Sequence, residues 1–401
     1  MITVISVGPG NESYLTIGAR AAIDGASIVF AAQRHAQLVH GKDMQPLEPI
    51  SPAVDEMEKL HAQGCDFSIL VSGDAGVYSL LPMLSRKFPA EDIAVLPGIS
   101  ALQILCAHEQ KMWQDAKILS LHGRDVSASA LCHWVGTQPA VILFCDKQRG
   151  AGSVASALCA GRLNDILMIV GERLGYSDQQ IIRGCPHDFL DYQGDPLAMI
   201  MLINEKPTPS LPPIGMVDDM FERGSVPMTK MEIRRQVVCA LQLPIDAVVW
   251  DIGAGTGSVS IECARQCPLG QVYAIERNEE GLKLIARNAA IYGISNVQVI
   301  AGYAPEALAD LPAPTHVFIG GSGGELPEIL DLLEGLNVPL RVVATAVTME
   351  TAQMLMAQLS KWQGFQMAQL GVSRVEQVGC VHMLRAQNPV FIAAAEWGIT
   401  K

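Results

Sequence analysis

Short apolar runs alternate with helix-like stretches along the whole chain, and this alternation limits the possible folds most. In the first half we predict strands at 2–7, 27–31, 67–71, 93–96, 117–121, 140–144, 166–170 and 197–203, and helices at 15–26, 50–64 and 77–88. In the second half we predict helices at 228–243, 258–267 and 279–293, and strands at 247–253, 271–277, 297–301 and 315–319. Such alternation predicts an α/β fold with a largely parallel sheet in each half.

A Pro-rich segment separates the two series of strands and helices. Residues 206–213 read KPTPSLPP, and proline can neither continue a helix nor join the middle of a sheet. We therefore predict two domains, 1–205 and 214–401, joined by a linker at 206–213. Each is long enough to bury its own core.

Composition excludes several classes of protein. With 49% hydrophobic and 17% charged residues the chain has the composition of a globular protein, and its net charge of −13 argues against electrostatic binding of nucleic acid. The first residues, MITVISVGPG, have no signal-peptide pattern, and the apolar runs are too short to cross a membrane. Ten cysteines without a CxxC pair indicate unpaired thiols in a reducing compartment, so we expect a cytoplasmic protein.

The stretch DIGAGTG opens the second domain. Its glycines lie at 253, 255 and 257, and Ser258 stands where the dinucleotide-binding pattern GxGxxG needs its last glycine. An acidic residue at a strand end followed by GxGxG resembles the class I S-adenosylmethionine methyltransferases. The resemblance implies a Rossmann-like domain in which the loop packs under the methionine part of the cofactor. It assigns cofactor contacts to Asp251, Gly253, Ala254, Gly255, Thr256 and Gly257.

Three further turns of the second domain fit this interpretation. Glu276 ends the next predicted strand, 21 residues after Gly255, where a carboxylate can accept hydrogen bonds from both ribose hydroxyls. The turn after the third strand, where the adenine usually lies, adds Gly302, Tyr303 and Ala304. The loop GGSGGEL (320–326) exposes backbone N–H groups, so Gly321, Ser322 and Gly323 are candidates for binding a substrate carboxylate. A solvated glutamate and a flexible glycine turn are the alternatives.

The first domain carries three turns of its own: VGPGNESYLT (7–16), LVSGDAGVYS (70–79) and VLPGISALQ (95–103). Together and in this order they resemble the tetrapyrrole methylase family, the class III S-adenosylmethionine methyltransferases. The resemblance implies two α/β subdomains with the cofactor in the cleft between them. It assigns cofactor contacts to Gly8, Gly10, Gly73, Asp74, Ala75, Gly76, Val77 and Ser100. Asn11 departs from the aspartate of the usual GPGDP pattern.

Within this family the chain is most similar to the subgroup that modifies corrin precursors, on the segments AAQRHAQL, SLHGRD and VGERLGYSDQQI. A guanidinium can hold a carboxylate through two hydrogen bonds, and the implied substrate is a polycarboxylate. Arg34, Arg124 and Arg173 are therefore candidate substrate contacts, with surface ion pairs as the alternative. His35 and His122 could be acid–base groups, but we favour satisfied loop histidines.

Residues 215–234, GMVDDMFERGSVPMTKMEIR, resemble the start of the decarboxylating corrin methyltransferase domain, with Met216 and Val217 departing from its pattern. The resemblance implies that Thr229 contacts the cofactor and that Arg223, Lys230 and Arg234 lie near the substrate. The same residues also fit a capping box, with Thr229 as N-cap and Glu232 three residues later.

The two resemblances together cover nearly the whole chain. They imply C-methylation of a corrin precursor at carbons 5 and 15 with decarboxylation of an acetate side chain, in cobalamin biosynthesis, with one S-adenosylmethionine site per domain. The sequence offers no catalytic base with a clear assignment and no metal-ligand set. It leaves open whether the substrate carries cobalt.

We expect a small tetrapyrrole polycarboxylate as substrate, a homo-oligomeric protein, and no nucleic-acid or membrane partner. Two alternatives remain: a fused methyltransferase acting on another tetrapyrrole, and a chain in which one half is a non-catalytic cofactor-binding module.

Overall fold

The computed structural model describes residues 1–122, 126–146, 148–195, 198–208 and 211–398. The chain divides into two compact units. The first unit comprises residues 1–125, 138–156 and 164–207, and the second comprises residues 126–137, 157–163 and 208–401. The last boundary, between Pro207 and Thr208, lies inside the Pro-rich segment.

The first unit contains two five-stranded sheets and the helices around them. Its strands are β1 Ile2–Ser6, β2 Ile28–Ala31, β3 Asp43–Pro46, β4 Phe67–Val71, β5 Ile93–Leu96, β6 Lys117–Ser120, β7 Ala140–Phe144, β8 Leu167–Glu172, β9 Gln180–Gly184 and β10 Met199–Ile203. The helices in this part of the sequence are α1 Ile17–Gly25, α2 Ile50–Ala62, α3 Leu81–Lys87, α4 Ala101–His108, α5 Ala128–Thr137 and α6 Ala151–Ala160. Of these, α5 and the end of α6 belong to the second unit.

The first sheet has the order β3-β2-β4-β1-β5, and all its strands are parallel. Both of its faces are covered: Val4 of β1 enters one core with Phe30 and Ile69, and the adjacent Ile5 enters another with Ala19 and Ile23. Burial on both faces explains why these strands read as continuous apolar runs.

The second sheet, β6-β7-β10-β8-β9, corrects the prediction of a largely parallel sheet. Only β6 and β7 are parallel, and the pairs β7–β10, β10–β8 and β8–β9 are antiparallel. The segment between β8 and β9 is too short for the crossover that a parallel pair requires. Strand β9 itself was not predicted.

The second unit is built on a seven-stranded sheet of order β13-β12-β11-β14-β15-β19-β16. Its strands are β11 Val248–Ile252, β12 Gln271–Glu276, β13 Val297–Ala301, β14 His316–Ile319, β15 Leu340–Ala346, β16 Gln363–Leu370 and β19 Val390–Trp397, and β17 Ser373–Val378 pairs with β18 Val381–Ala386 as a separate hairpin. The helices are α7 Met231–Leu241, α8 Ser258–Gln266, α9 Glu279–Ile291, α10 Leu326–Gly335 and α11 Met349–Leu359. Strands β11 to β15 are parallel, and β19 is antiparallel to both of its neighbours.

Alternate residues of β11 face two cores. Trp250 and Ile252 enter the core formed with α10 and α11, whereas Val249 enters the one formed with α7 and α8. The fold is thus a two-sheet α/β unit followed by a Rossmann-like α/β unit, as predicted. No helix in the described ranges is long and apolar enough to span a membrane.

Candidate functional site

The loop between β11 and α8 forms one wall of a cavity of about 360 Å³ in the second unit. Gly253, Gly255 and Gly257 all have positive φ, which an L-residue rarely adopts. A Cβ at Gly255 would lie 2.7 Å from the carbonyl oxygen of Pro227, so the close approach of segment 225–227 also requires glycine here. The loop is therefore shaped to leave open space above it at the carboxyl end of the sheet.

Nine of the predicted residues line this cavity. They are Gly253, Gly255, Glu276, Gly302, Tyr303, Ala304, Gly321, Ser322 and Gly323. They come from four turns at the carboxyl ends of parallel strands, which is where open α/β sheets bind ligands.

Glu276 binds the glycine loop as well as facing the cavity. Its Oε2 accepts a hydrogen bond from the Gly255 N–H at 2.8 Å, and its Oε1 accepts from the N–H groups of Arg277 and Asn278 at 2.9 and 2.7 Å. A carboxylate offers about four lone-pair positions, so three are occupied and one remains on Oε2. One acceptor position on Oε2 is therefore not used by the backbone, and the contact with the ribose hydroxyls stays a prediction.

Asp251 of β11 and the loop residues Ala254, Thr256 and Gly257 are not among the residues that line the cavity. Asp251 is fully buried; burial raises the pKa of its carboxyl to about 7, and Ser260 donates a hydrogen bond to its Oδ2. Its Oδ1 and the Thr256 hydroxyl have no hydrogen-bond partner among the described residues. Their contact with a cofactor stays a prediction.

Segment 215–231 covers one side of this cavity through Ser225, Val226 and Pro227, which the sequence analysis did not single out. Asn288 fixes the segment: its Oδ1 accepts from the Glu222 N–H at 2.7 Å, and its Nδ2 donates to the Thr256 carbonyl at 3.0 Å. Glu280 adds hydrogen bonds from the backbone and side chain of Ser225. Ser225, Val226 and Pro227 themselves carry no glycine or charge that would mark them in the sequence.

The structure corrects the substrate role predicted for Arg234. Its side chain is 0% exposed and donates to Glu262 at 2.8 Å, to Asp218 at 3.3 Å, and to the carbonyl oxygens of Met216 and Thr229. It also lies over the Phe221 ring at 4.7 Å. A guanidinium with these partners holds both ends of segment 215–231 and is not available to a substrate.

The other predicted site residues of this segment, Arg223, Thr229 and Lys230, are also not among the residues that line the cavity. Arg223 pairs with Asp219 at the surface, and Lys230 is the N-cap residue of α7. The capping box with Thr229 does not form, because Glu232 instead accepts two hydrogen bonds from Arg374. Their contacts with substrate or cofactor stay predictions.

Arg277 is a cavity residue that the sequence analysis missed. It lines the cavity, lies over the Tyr303 ring at 5.3 Å, and forms no ion pair with an acidic side chain among the described residues. It directly follows Glu276, and this position was the only sequence signal for it. Arg277 can offer a positive charge to an anionic ligand.

The first unit contains a larger cavity of about 790 Å³. It is lined by residues that follow β2, β4 and β6, so both sheets of this unit contribute to it. Of the predicted residues, Arg34, Gly76 and Val77 line it. His35, Ser72, Tyr78 and His122 line it as well.

The remaining glycine-turn residues of the first unit hold the turns to one another. The N–H of Gly8 donates to the carbonyl of Gly73 at 3.1 Å, and that of Gly73 donates to Gly8 at 2.7 Å. Asp74 accepts from the N–H groups of Gly76 and Gly98, both at 2.8 Å, which ties the second turn to the third. Ala75 and Ser100 are buried, and the Ser100 hydroxyl has no partner in the described part of the chain.

Asn11, which departs from the usual pattern, and Arg173, a candidate substrate contact, both have local partners. Asn11 begins a short 3-10 turn, where its side chain accepts from the Ser13 N–H at 3.0 Å and donates to the Gly175 carbonyl at 3.2 Å. Arg173 pairs with Asp178 at 2.6 Å and lies outside the cavity lining. Arg124 is outside the described residues.

No group of three or more His, Cys, Asp or Glu side chains in the described ranges could hold a metal ion.

Both halves match known families. Residues 1–185 match the family described as tetrapyrrole (corrin/porphyrin) methylases, and residues 219–400 match the precorrin methyltransferase domain. A Sinorhizobium protein named precorrin-6Y C(5,15)-methyltransferase (decarboxylating) is 27% identical over 406 residues, covering 100% of this chain and 96% of that protein.

Two relatives that match 45% of the chain are more similar to it. A Pyrobaculum calidifontis protein named probable cobalt-precorrin-6B C(15)-methyltransferase (decarboxylating) is 38% identical over 185 residues, 45% of this chain and 95% of the relative. A crystal structure of precorrin-6Y C5,15-methyltransferase from Geobacter metallireducens is 38% identical over 45% of this chain and 96% of that chain, with a TM-score of 0.43. The chain is therefore a methyltransferase and belongs to the family of precorrin-6Y C(5,15)-methyltransferases (decarboxylating).

Proposed function

We propose that this protein methylates precorrin-6Y, or its cobalt form, at carbons 5 and 15 and decarboxylates the ring C acetate, giving precorrin-8X. The observation that carries the proposal is the presence of two separate cavities, each at the carboxyl ends of strands and each beside glycine turns, in a chain similar over its full length to enzymes of this name. We assign carbon 5 to the first unit, and carbon 15 with decarboxylation to the second.

The second cavity suits S-adenosylmethionine in two respects. The glycine loop leaves space that side chains would fill, and Glu276 keeps one acceptor position for a ribose hydroxyl. When bound, S-adenosylmethionine supplies an electrophilic methyl group on a sulfonium centre. The chain's own residues position the reactants and exclude water, and Arg277 with Gly321–Gly323 can hold a substrate carboxylate beside the loop.

The test is a reaction with metal-free and cobalt-loaded precorrin-6Y, followed by mass spectrometry. We expect a product that has gained two methyl groups and lost one carbon dioxide, from one or both forms. Product with one methyl group only, or no product, would contradict the bifunctional assignment. Calorimetry with S-adenosylhomocysteine should give two sites per chain, and a single site would mean that one half is a non-catalytic module.

We also place the reaction in the cytoplasm, because all ten cysteines are free thiols. A homo-oligomeric state stays a prediction, which light scattering can check.

A further inference from the structure

His35 and Ser72 meet on the wall of the first unit's cavity. His35 follows β2 and is 1% exposed, whereas Ser72 directly follows β4 and is exposed. The His35 Nε2 and the Ser72 Oγ are 2.7 Å apart, and both residues line the cavity. A buried imidazole therefore contacts the cavity through a serine hydroxyl.

The neighbouring arginine fixes the direction of these hydrogen bonds. Arg34 donates from Nη2 to the Ser72 Oγ at 2.9 Å and from Nε to the His35 Nε2 at 3.4 Å. A guanidinium can only donate, so the Ser72 oxygen and the His35 Nε2 are both acceptors towards it. On this basis we assign the Ser72 proton to the hydrogen bond with Nε2 and the ring hydrogen of His35 to Nδ1.

His35 is neutral in this setting. Burial and, second, the charge of Arg34 lower the pKa of His35 to about 4. The ring is seated against Gly10, where a Cβ would lie 2.6 Å from its Nδ1. Its Nδ1 has no hydrogen-bond partner among the described residues, so no other group there fixes the ring proton. The lone pair of Nε2 is therefore shared between the Ser72 hydroxyl at 2.7 Å and the Arg34 Nε at 3.4 Å, and the shorter contact is the one to Ser72.

We propose that Ser72 and His35 form a proton relay that takes a proton from the macrocycle after its methylation in the first unit. The inference rests on the proposed function and names catalytic residues for it. Ser72 is the group that meets the substrate, and His35 acts through Ser72. Arg34 polarises the Ser72 hydroxyl, and a substrate carboxylate that pairs with Arg34 would strengthen His35 as a base.

The step balances as follows. A π bond of the electron-rich macrocycle supplies the electron pair of the new C–CH₃ bond, and the pair of the broken S–CH₃ bond stays on sulfur, giving S-adenosylhomocysteine. The methylated macrocycle then carries one positive charge. Ser72 Oγ takes a proton from the methylated carbon or a conjugated ring nitrogen while its own proton passes to His35 Nε2. The bonding pair returns to the ring system, and the imidazolium later loses its proton to solvent.

The first test compares Ser72→Ala and His35→Asn with Ser72→Thr, which keeps the hydroxyl, and with Ser85→Ala as a surface control. The full chain reacts with precorrin-6Y, and the methyl groups added are counted by mass. We expect methyl transfer by the first unit to fall at least about a hundredfold in the first two variants, with kcat affected and the KM for precorrin-6Y unchanged. Ser72→Thr should restore most of the rate, and S-adenosylhomocysteine affinity should stay as in wild type.

The outcomes separate the two ideas. A wild-type protein that transfers no methyl group to precorrin-6Y overturns the proposed function and the relay with it. An active wild type with an equally active Ser72→Ala variant overturns the relay alone. A lower rate with weakened S-adenosylhomocysteine binding would also overturn it, by showing a role in cofactor binding.

The second test needs no substrate. Nitrogen NMR of labelled histidine should show His35 as the neutral tautomer with its hydrogen on Nδ1 at neutral pH. The assignment comes from loss of the signal in His35→Asn. A hydrogen on Nε2, or a charged ring, would contradict the relay because Nε2 could no longer accept the Ser72 proton.

Discussion

The two glycine-turn regions of this protein use the same residue type in different ways. In the second unit, Gly253 and Gly255 of the β11–α8 loop line the cavity themselves, beside Glu276. In the first unit, Gly8 and Gly73 are hydrogen-bonded to each other, and the larger cavity is lined by side chains that follow them or lie nearby, including His35 and Ser72.

This difference shows two ways of building a site from backbone turns. A loop that borders the cavity directly needs glycine where a side chain would fill the open space, so its pattern is visible in the sequence. A set of turns that are hydrogen-bonded to one another lies mostly outside the cavity lining, and side chains of neighbouring residues are left to meet the ligand. The predictions below test this contrast, from the largest expected effect to the smallest.

Arg234→Met should cause the largest loss, and only in the second unit. Removing this buried guanidinium leaves the buried Glu262 carboxylate without its ion-pair partner, whereas Asp218 keeps Arg374; the loss costs about 3–5 kcal/mol. Hydrogen exchange with mass spectrometry, which follows each unit separately, should show the loss in segment 215–231 and α8. Arg223→Ala, at a surface ion pair, is the matched control and should change stability by less than about 0.5 kcal/mol. Equal effects of the two changes would contradict the clamping role.

Acid should destabilise the first unit through His35. Its pKa in the folded protein is about 4, against an ordinary value of 6.5, so the unfolded chain binds the proton more readily. The stability that His35 contributes is complete above pH 6.5 and is lost as the pH falls towards 4. Urea unfolding of wild type and His35→Asn across this range should show a smaller pH dependence in the variant. Parallel curves for the two proteins would be inconsistent with a buried neutral imidazole.

Glu276→Gln and Asp74→Asn compare two carboxylates that both accept backbone N–H bonds. Glu276 also faces its cavity, so we expect Glu276→Gln to weaken S-adenosylhomocysteine binding in the second unit about tenfold. This is the effect of losing one charge-assisted hydrogen bond. Asp74 does not line its cavity, so Asp74→Asn should lower the stability of the first unit more than its affinity. Calorimetry and thermal unfolding measure the two effects, with exposed Glu279→Gln as control. If Glu276→Gln lowered mainly stability and Asp74→Asn mainly affinity, the two units would not differ in the way described.

Arg277→Gln should have the smallest effect. An exposed cation that pairs with one substrate carboxylate contributes roughly 1 kcal/mol, so the KM for precorrin-6Y should rise about fivefold. S-adenosylhomocysteine affinity should not change, and Arg277→Lys should recover part of the loss. Arg287→Gln, on the exposed side of α9, is the control. If the KM rises as much in Arg287→Gln, the effect comes from the overall charge of the protein and not from a contact between Arg277 and the substrate.

Sequence reasoning was most successful where a pattern is local. The predicted elements match the observed ones within about four residues at each end, because apolar period and glycine turns are read from neighbours in the chain. Glu276 and Gly302–Ala304 were found because they follow successive parallel strands, which end at one edge. Arg234 was assigned to the substrate by resemblance, and nothing in the sequence indicated that Asp218 and Glu262, which lie 16 and 28 residues away, pair with it in the interior.

The sequence by itself determined that the chain forms two α/β units. It also determined which turn positions require a residue without a side chain. Only the tertiary structure decided which side chains face each cavity, that β10 lies between β7 and β8, and that His35 meets Ser72. The physical reason is range. Backbone conformation and apolar periodicity are properties of a few successive residues, whereas burial, hydrogen-bond partners and pKa depend on segments brought together by the fold.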